Sequence, residues 1–178
     1  MQQVADVKTS AATRAISERT FADLLTPLIE PGFRLALAML HDAQAAEDAV
    51  QEASFTAWRK LGRISDQGRL RPWFLGVVAN KCRNARRGKW VSDVRLGLPE
   101  QLSVVSGEDR SLRAADLRRA VARLRHNDRL VVVLYFYLDM PLDDIAVVAG
   151  TSVAATRARL YRSIRKLRPD LDLQEALR

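Results

Sequence analysis

The sequence predicts an all-α protein of two small helical domains joined by a flexible linker. Three observations carry that prediction. Apolar residues recur at spacings of three and four in several stretches on either side of residues 91–111. Capping residues and helix stops bracket those stretches. Residues 91–111 themselves hold no period and are punctuated by Pro, Gly and Ser. Periodicity of that kind marks an amphipathic helix, and its loss with turn residues marks a connection. The chain has 178 residues, enough for two small cores, and each half needs its own.

Residues 1–19 are small and polar, without a helical stripe, and read as a disordered tail. Thr20 followed by Asp23 resembles a capping box, so a helix is expected to open there. It carries Phe21, Leu24, Leu25 and Leu28; Glu30-Pro31-Gly32 is expected to bend or interrupt it, and Phe33 to Leu40 continue the apolar segment. Asp42 can cap a helix over 43–61 with apolar positions Ala46, Ala49, Val50, Ala53, Phe55, Ala57, Trp58 and Leu61. Residues 62–70 read as a loop. Pro72 can start the next helix, which runs to about Lys89 with Trp73, Phe74, Val77, Val78 and Cys82 on one face.

After the linker, Leu112, Leu117, Val121 and Leu124 mark a helix ending near His126. Asn127 can cap another over Asp128–Tyr137. Its run Val131-Val132-Val133 would suit a buried strand, but it is capped, flanked by helices and has no partner strand, so a helix is expected. The segment PLDDIAVVAGTSVAATRARLYRSIRKLR, residues 141–168, then reads as a short helix over Leu142–Ala149, a stop at Gly150, hydroxyl caps at Thr151 and Ser152, and a second helix. Leu160, Ile164 and Leu167 form the inward stripe of that second helix, and Pro169 ends it. This is a helix-turn-helix signature, a motif that lays its second helix in the major groove of DNA.

Charge is distributed to match. The net charge is +8, and residues 66–95 carry eight Lys/Arg against two Asp/Glu. Residues 152–168 carry six against none, whereas residues 21–65 carry four against six. Two separated basic blocks suit two contacts with a polyanion better than a uniformly solvated surface does. Other classes find little support. A single cysteine, Cys82, allows no internal disulfide and no Cys-based zinc site. His41 and His126 stand apart at expected helix ends, and there is no Walker loop and no GxGxxG, so no enzyme, metal or cofactor is expected. No apolar run approaches the ~20 residues that span a bilayer, and the N-terminus lacks the apolar core of a signal peptide; a cytoplasmic location is expected.

Residues 40–61, LHDAQAAEDAVQEASFTAWRKL, resemble the second conserved region of extracytoplasmic-function sigma factors of bacterial RNA polymerase, group 4 of the sigma-70 superfamily. Residues 70–88, LRPWFLGVVANKCRNARRG, resemble the stretch that follows it. Residues 121–168 resemble the fourth region: a helix opening near Asp128-Arg129, a DDIA segment, and a basic helix ending in RLYRSIRKLR. Order and spacing of all three agree. The family commonly has Gly-Thr-Val where this chain has Ala154, Ala155 and Thr156, which changes contacts at the start of the recognition helix. The resemblance implies sigma region 2 over residues 20–90, a linker over 91–111 and sigma region 4 over 112–178.

The resemblance implies partners and roles. Asp48, Gln51, Glu52 and Phe55 would dock on core RNA polymerase, at the coiled-coil of its largest subunit, with region 4 meeting the flap. Without the resemblance, this face reads as solvated acids, with Phe55 and Trp58 in the domain's own core. Promoter DNA is the second partner, single-stranded at the −10 element and duplex at the −35 element. Asp66, Arg69, Arg71, Asn80, Arg83, Asn84, Arg86 and Arg87 are the −10 candidates: side-chain donors can hold an unstacked base, and Arg can hold phosphate. Trp73 and Phe74 fit the core better than a stacking role. Ser152, Arg157, Ala158, Tyr161, Arg162 and Arg165 are the −35 candidates, Arg to a guanine edge being the commonest base contact. An anti-sigma factor is implied by the family alone. Two other readings stay open on the residues: a stand-alone helix-turn-helix regulator, and a sigma-like adaptor without promoter activity.

Overall fold

A computed structural model describes residues 2–60, 67–96 and 112–167, with side chains over 21–60, 68–87 and 117–167. In chain order the helices are α1 (Gln2–Leu40), α2 (Ala43–Lys60), a 3₁₀ turn (Gln67–Arg69), α3 (Leu70–Leu96), α4 (Leu112–Arg123), α5 (His126–Val132), a π-helical turn (Val133–Tyr137), α6 (Leu142–Ala149) and α7 (Val153–Leu167). No strand occurs among the described residues, and Val131–Val133 are helical as expected.

The N-terminal unit is a bundle of α1, α2 and α3 around Leu35, Met39, Phe74, Leu75, Val78 and Cys82. Its close packing has a visible cause. The buried face of α2 is mostly Ala, at 46, 49, 53 and 57, which lets its backbone approach its neighbours. At Gly32 a Cβ would lie 3.1 Å from Phe74 Cε1, so α1 meets α3 where α1 has no side chain. The second unit packs α5, α6 and α7 around Leu130, Val131, Leu134, Ile145 and Leu160. Each unit has its own core, as two domains require, and the two cores meet where α3 packs on α6.

Local signals set most boundaries. Asp42 caps α2, its Oδ1 accepting from Ala45 N at 3.0 Å. Gly150 stops α6 in the left-handed region at φ 63°, and Ser152 Oγ caps α7 by accepting from Ala155 N at 3.2 Å. Four expectations fail. No helix opens at Thr20: α1 begins at Gln2, runs through the stretch read as a tail, and continues across Pro27 and Pro31. No Gly or Pro interrupts residues 2–26, and a proline within a helix removes one donor without stopping it when packing holds both sides. Asn127 is not a cap; α5 opens one residue earlier, after Arg125, without a side-chain cap bond. Helix α3 starts at Leu70, before Pro72, and extends six residues into the stretch read as linker, ending at Leu96. The end of the Val-rich segment widens into a π turn, with Leu138 N donating to Val133 O at 3.1 Å.

Thr156 lies fully buried in α7, and its Oγ1 has no hydrogen-bond partner among the described residues. A buried hydroxyl without a partner costs about 1–3 kcal/mol. Thr156→Val keeps the shape and deletes that cost. It is expected to raise stability by about 1 kcal/mol in chemical denaturation, and no gain would place an undetected acceptor at that hydroxyl.

Candidate functional site

Three solvent-facing surfaces carry the candidate residues. The first is on α2. Asp48, Gln51, Glu52 and Phe55 fall at helical spacing and are all exposed, while Ala46, Ala49, Val50, Ala53 and Ala57 take the buried side. Phe55 is 63% exposed, which overturns its core reading. Arg59 lies over its ring at 5.8 Å. Trp58 is 39% exposed and is held edge-on by Phe21, ring centroids 4.9 Å apart. Glu52 also pairs with Lys81 of α3 at 3.0 Å, which ties this face to the next.

The second surface is on α3. Asn80, Asn84, Arg86 and Arg87 are exposed. Arg83 is partly buried and donates to Asn80 Oδ1, which fixes the amide's acceptor and leaves its NH₂ outward. Arg69 is exposed in the 3₁₀ turn. Arg71 is partly buried and turns away from this group, donating from Nη2 to Leu138 O at 2.8 Å. Asp66 lies outside the described residues. Trp73 is partly buried, Phe74 and Cys82 fully so. Burial pushes the Cys82 thiol up to about 12, so it stays protonated and inert.

The third surface is α7. Leu160, Ser163 and Leu167 face inward together with Thr156. Ser152, Arg157, Ala158, Tyr161, Arg162 and Arg165 are all exposed, Tyr161 at 65%. Lys166 is drawn to Asp128 of α5 at 2.7 Å, which leaves the Arg side chains to define the outer face.

One residue with a large structural role carries no assignment from sequence. Arg129 is buried, 3% exposed. Its guanidinium donates to Val121 O at 3.3 Å, Leu124 O at 3.1 Å and Met39 O at 3.1 Å, also to Ala122 O, and lies 2.8 Å from His41 Nε2. In sequence, an Arg beside Asn127 and Asp128 reads as surface; only the apolar run directly after it hints at burial. The two histidines sit around this group. Burial first, then Arg129 and Arg86, bring the His41 pKa down from 6.5 to about 4. Burial, Arg83, Arg86 and Arg129 do the same for His126. Both imidazoles are therefore neutral in the fold and charge more readily in the unfolded chain. The stability this contributes is complete above about pH 6.5 and is lost as pH falls toward 4, on the order of 1 kcal/mol per histidine. Melting temperature is expected to decline between pH 7 and 4.5, and a flat profile would contradict these environments.

Among the described residues no group of His, Cys, Asp and Glu could hold a metal ion, and no helix is long and apolar enough to cross a membrane. What the three surfaces offer is recognition: acids and an aromatic on one helix, amides and guanidinium groups on two others.

Comparison with known proteins agrees with this arrangement. The family model described as Sigma-70 region 2 matches residues 28–91, and that described as Sigma-70, region 4 matches residues 114–167. The ECF RNA polymerase sigma factor SigL of Mycobacterium tuberculosis is 31% identical over 181 residues, covering 97% of each chain. The RNA polymerase sigma factor SigV of Bacillus subtilis is 23% identical over 144 residues, covering 80% of this chain and 86% of its own. The sigma factor RpoE of Bartonella quintana, solved with the anti-sigma factor NepR, superposes with a TM-score of 0.74 at 21% identity, covering 88% of this chain and 99% of that one. CnrH, solved with the cytosolic domain of CnrY, gives 0.63 at 24% identity, over 88% and 90%; at these identities the two structures establish a shared fold. With both conserved regions present in order and a relative matched over nearly its whole length, the chain belongs to the extracytoplasmic-function group of sigma-70 family RNA polymerase sigma factors.

Proposed function

We propose that this sigma factor divides its work among the three surfaces. Region 2, residues 20–90, docks on core polymerase through Asp48, Gln51, Glu52 and Phe55. It melts and reads the −10 element through Asp66, Arg69, Arg71, Asn80, Arg83, Asn84, Arg86 and Arg87. Region 4, residues 112–178, reads the −35 element through Ser152, Arg157, Ala158, Tyr161, Arg162 and Arg165. The observation that carries the reading is the split of surface chemistry. An exposed aromatic among acids on α2 suits a basic protein partner, where rim charges steer the encounter and the ring anchors it. Exposed Arg side chains on α3 and α7 suit phosphates and base edges.

The protein performs no bond chemistry; nucleotide transfer belongs to the polymerase. It acts in the cytoplasm, where promoter and polymerase are. Both structural relatives were solved with anti-sigma proteins, and an anti-sigma factor is proposed as a partner here. Two weak DNA modules on one chain gain affinity through effective concentration, provided the spacing lets both engage. Run-off transcription with core polymerase and a promoter library tests the reading. Discrete transcripts that require the protein are expected. DNA binding without polymerase binding would support a stand-alone regulator, and polymerase binding without transcripts would support an adaptor.

A further inference from the structure

The two regions hold each other by a matched pair of contacts. A helix leaves its last carbonyls without intrahelical partners, and a cation there also meets the negative end of the helix dipole. Arg129, from region 4, donates to Met39 O in the last turn of α1, in region 2. Arg71, from region 2, donates to Leu138 O at the end of the π turn, in region 4. Each capped segment is followed by a non-Gly residue in the left-handed region, His41 at φ 57° and Asp139 at φ 48°. Between the two contacts α3 lies on α6. A Cβ built at Gly76 would meet only Val148, its Cα at 3.6 Å and its O at 3.7 Å. Thus Gly76 is where one region leaves room for the backbone of the other.

This packing conflicts with promoter reading in two ways. Arg71 is assigned above to the −10 element, and here its guanidinium is occupied by region 4. Geometry sets the second conflict. Elements 25 base pairs apart are separated by roughly 85 Å along the duplex. With Gly76 against Val148, helix rises and one interhelical spacing keep the readers on α3 and α7 within roughly 50 Å. The residues between Leu96 and Leu112 could span roughly 50 Å more when extended, so release of the contact lets the readers separate.

We propose that the reciprocal Arg129–Met39 and Arg71–Leu138 caps, closed over Gly76, form an autoinhibitory latch that keeps the free sigma factor from reading both promoter elements until polymerase separates the regions. The latch needs no second protein. It rests on the promoter assignment above. Binding of DNA or polymerase to the open form is weakened by the fraction of molecules that are closed.

The test uses the full chain. Gly76→Leu is a wedge that strikes region 4 and nothing in its own region. In solution scattering the wild type is expected near the radius of gyration of a compact chain of this length, about 16 Å, and the wedge variant several ångström larger at unchanged helical content. Its run-off transcript yield at limiting sigma factor is expected to rise at least about threefold. The opposite variant pairs Gly76→Cys with Val148→Cys. Cys82, buried and protonated, does not compete for the bridge. Oxidised, this double variant is expected to lose transcription at least about tenfold, and to recover it on reduction. If the wild type transcribes while neither wedge nor bridge alters compactness or yield, the latch is wrong and the promoter reading stands. If the wild type gives no transcript, the promoter reading fails and the inhibitory role falls with it.

Discussion

Replacing Phe55 by Ala is expected to weaken binding to core polymerase by at least about thirty-fold, the loss typical of a buried aromatic anchor worth about 2 kcal/mol or more. The free protein is expected to be almost unaffected. Phe55 is 63% exposed and makes one notable contact, beneath Arg59 at 5.8 Å, worth about 0.5 kcal/mol at such a site. Removing it therefore takes little from the fold, and the melting temperature should shift by no more than a few degrees. The ring stands in water among Asp48, Gln51 and Glu52, and only an external partner would repay that exposure. Pull-down titration against core polymerase reads the affinity. A large drop in stability, or unchanged polymerase binding, would return Phe55 to a role within the fold.

Arg157→Ala carries the second large effect. On the outer side of α7, Arg157, Tyr161 and Arg165 succeed one another at one-turn intervals, and all are exposed. A bidentate contact from Arg to a base edge contributes about 1–3 kcal/mol of discrimination. Transcription from a promoter that depends on its −35 element is expected to fall roughly 5- to 150-fold, with the salt dependence of binding little changed if the contact is to a base. A uniform loss across all DNA sequences with a shallower salt slope would reassign Arg157 to phosphate. No effect at all would move the groove-facing side elsewhere on α7.

Much of this organisation is written locally. Gly150 and Ser152 specify the turn before α7 by backbone freedom and a hydroxyl cap, and both do so in the fold. Asp42 specifies the start of α2 in the same way. The stripe of α7 needs only its own period, so which Arg side chains face out is legible from spacing. Three features are not local and are missed. Thr20 and Asp23 have the composition of a cap, but nothing stops the chain before them, so α1 runs through. Phe55 fits a core stripe and an exposed anchor equally well, because periodicity reports a face without saying what covers it. Arg129 and Arg71 look like surface charge; their partners, Met39 O and Leu138 O, lie about ninety and about seventy residues away in the chain. Long-range hydrogen bonds to backbone carbonyls leave no trace in composition, so the contact between the two regions emerges only in three dimensions.

The central claim is that one chain reads two promoter elements at a separation set by its own two modules while bound to polymerase. Varying the number of base pairs between the −35 and −10 elements of a promoter selected from the library, and measuring run-off transcription at each length, tests this most directly. A single optimum is predicted, falling steeply within one or two base pairs either side, because each added pair moves one element by about 3.4 Å and turns it around the duplex. Yields that stay level across spacer lengths, or that survive deletion of either element, would contradict it.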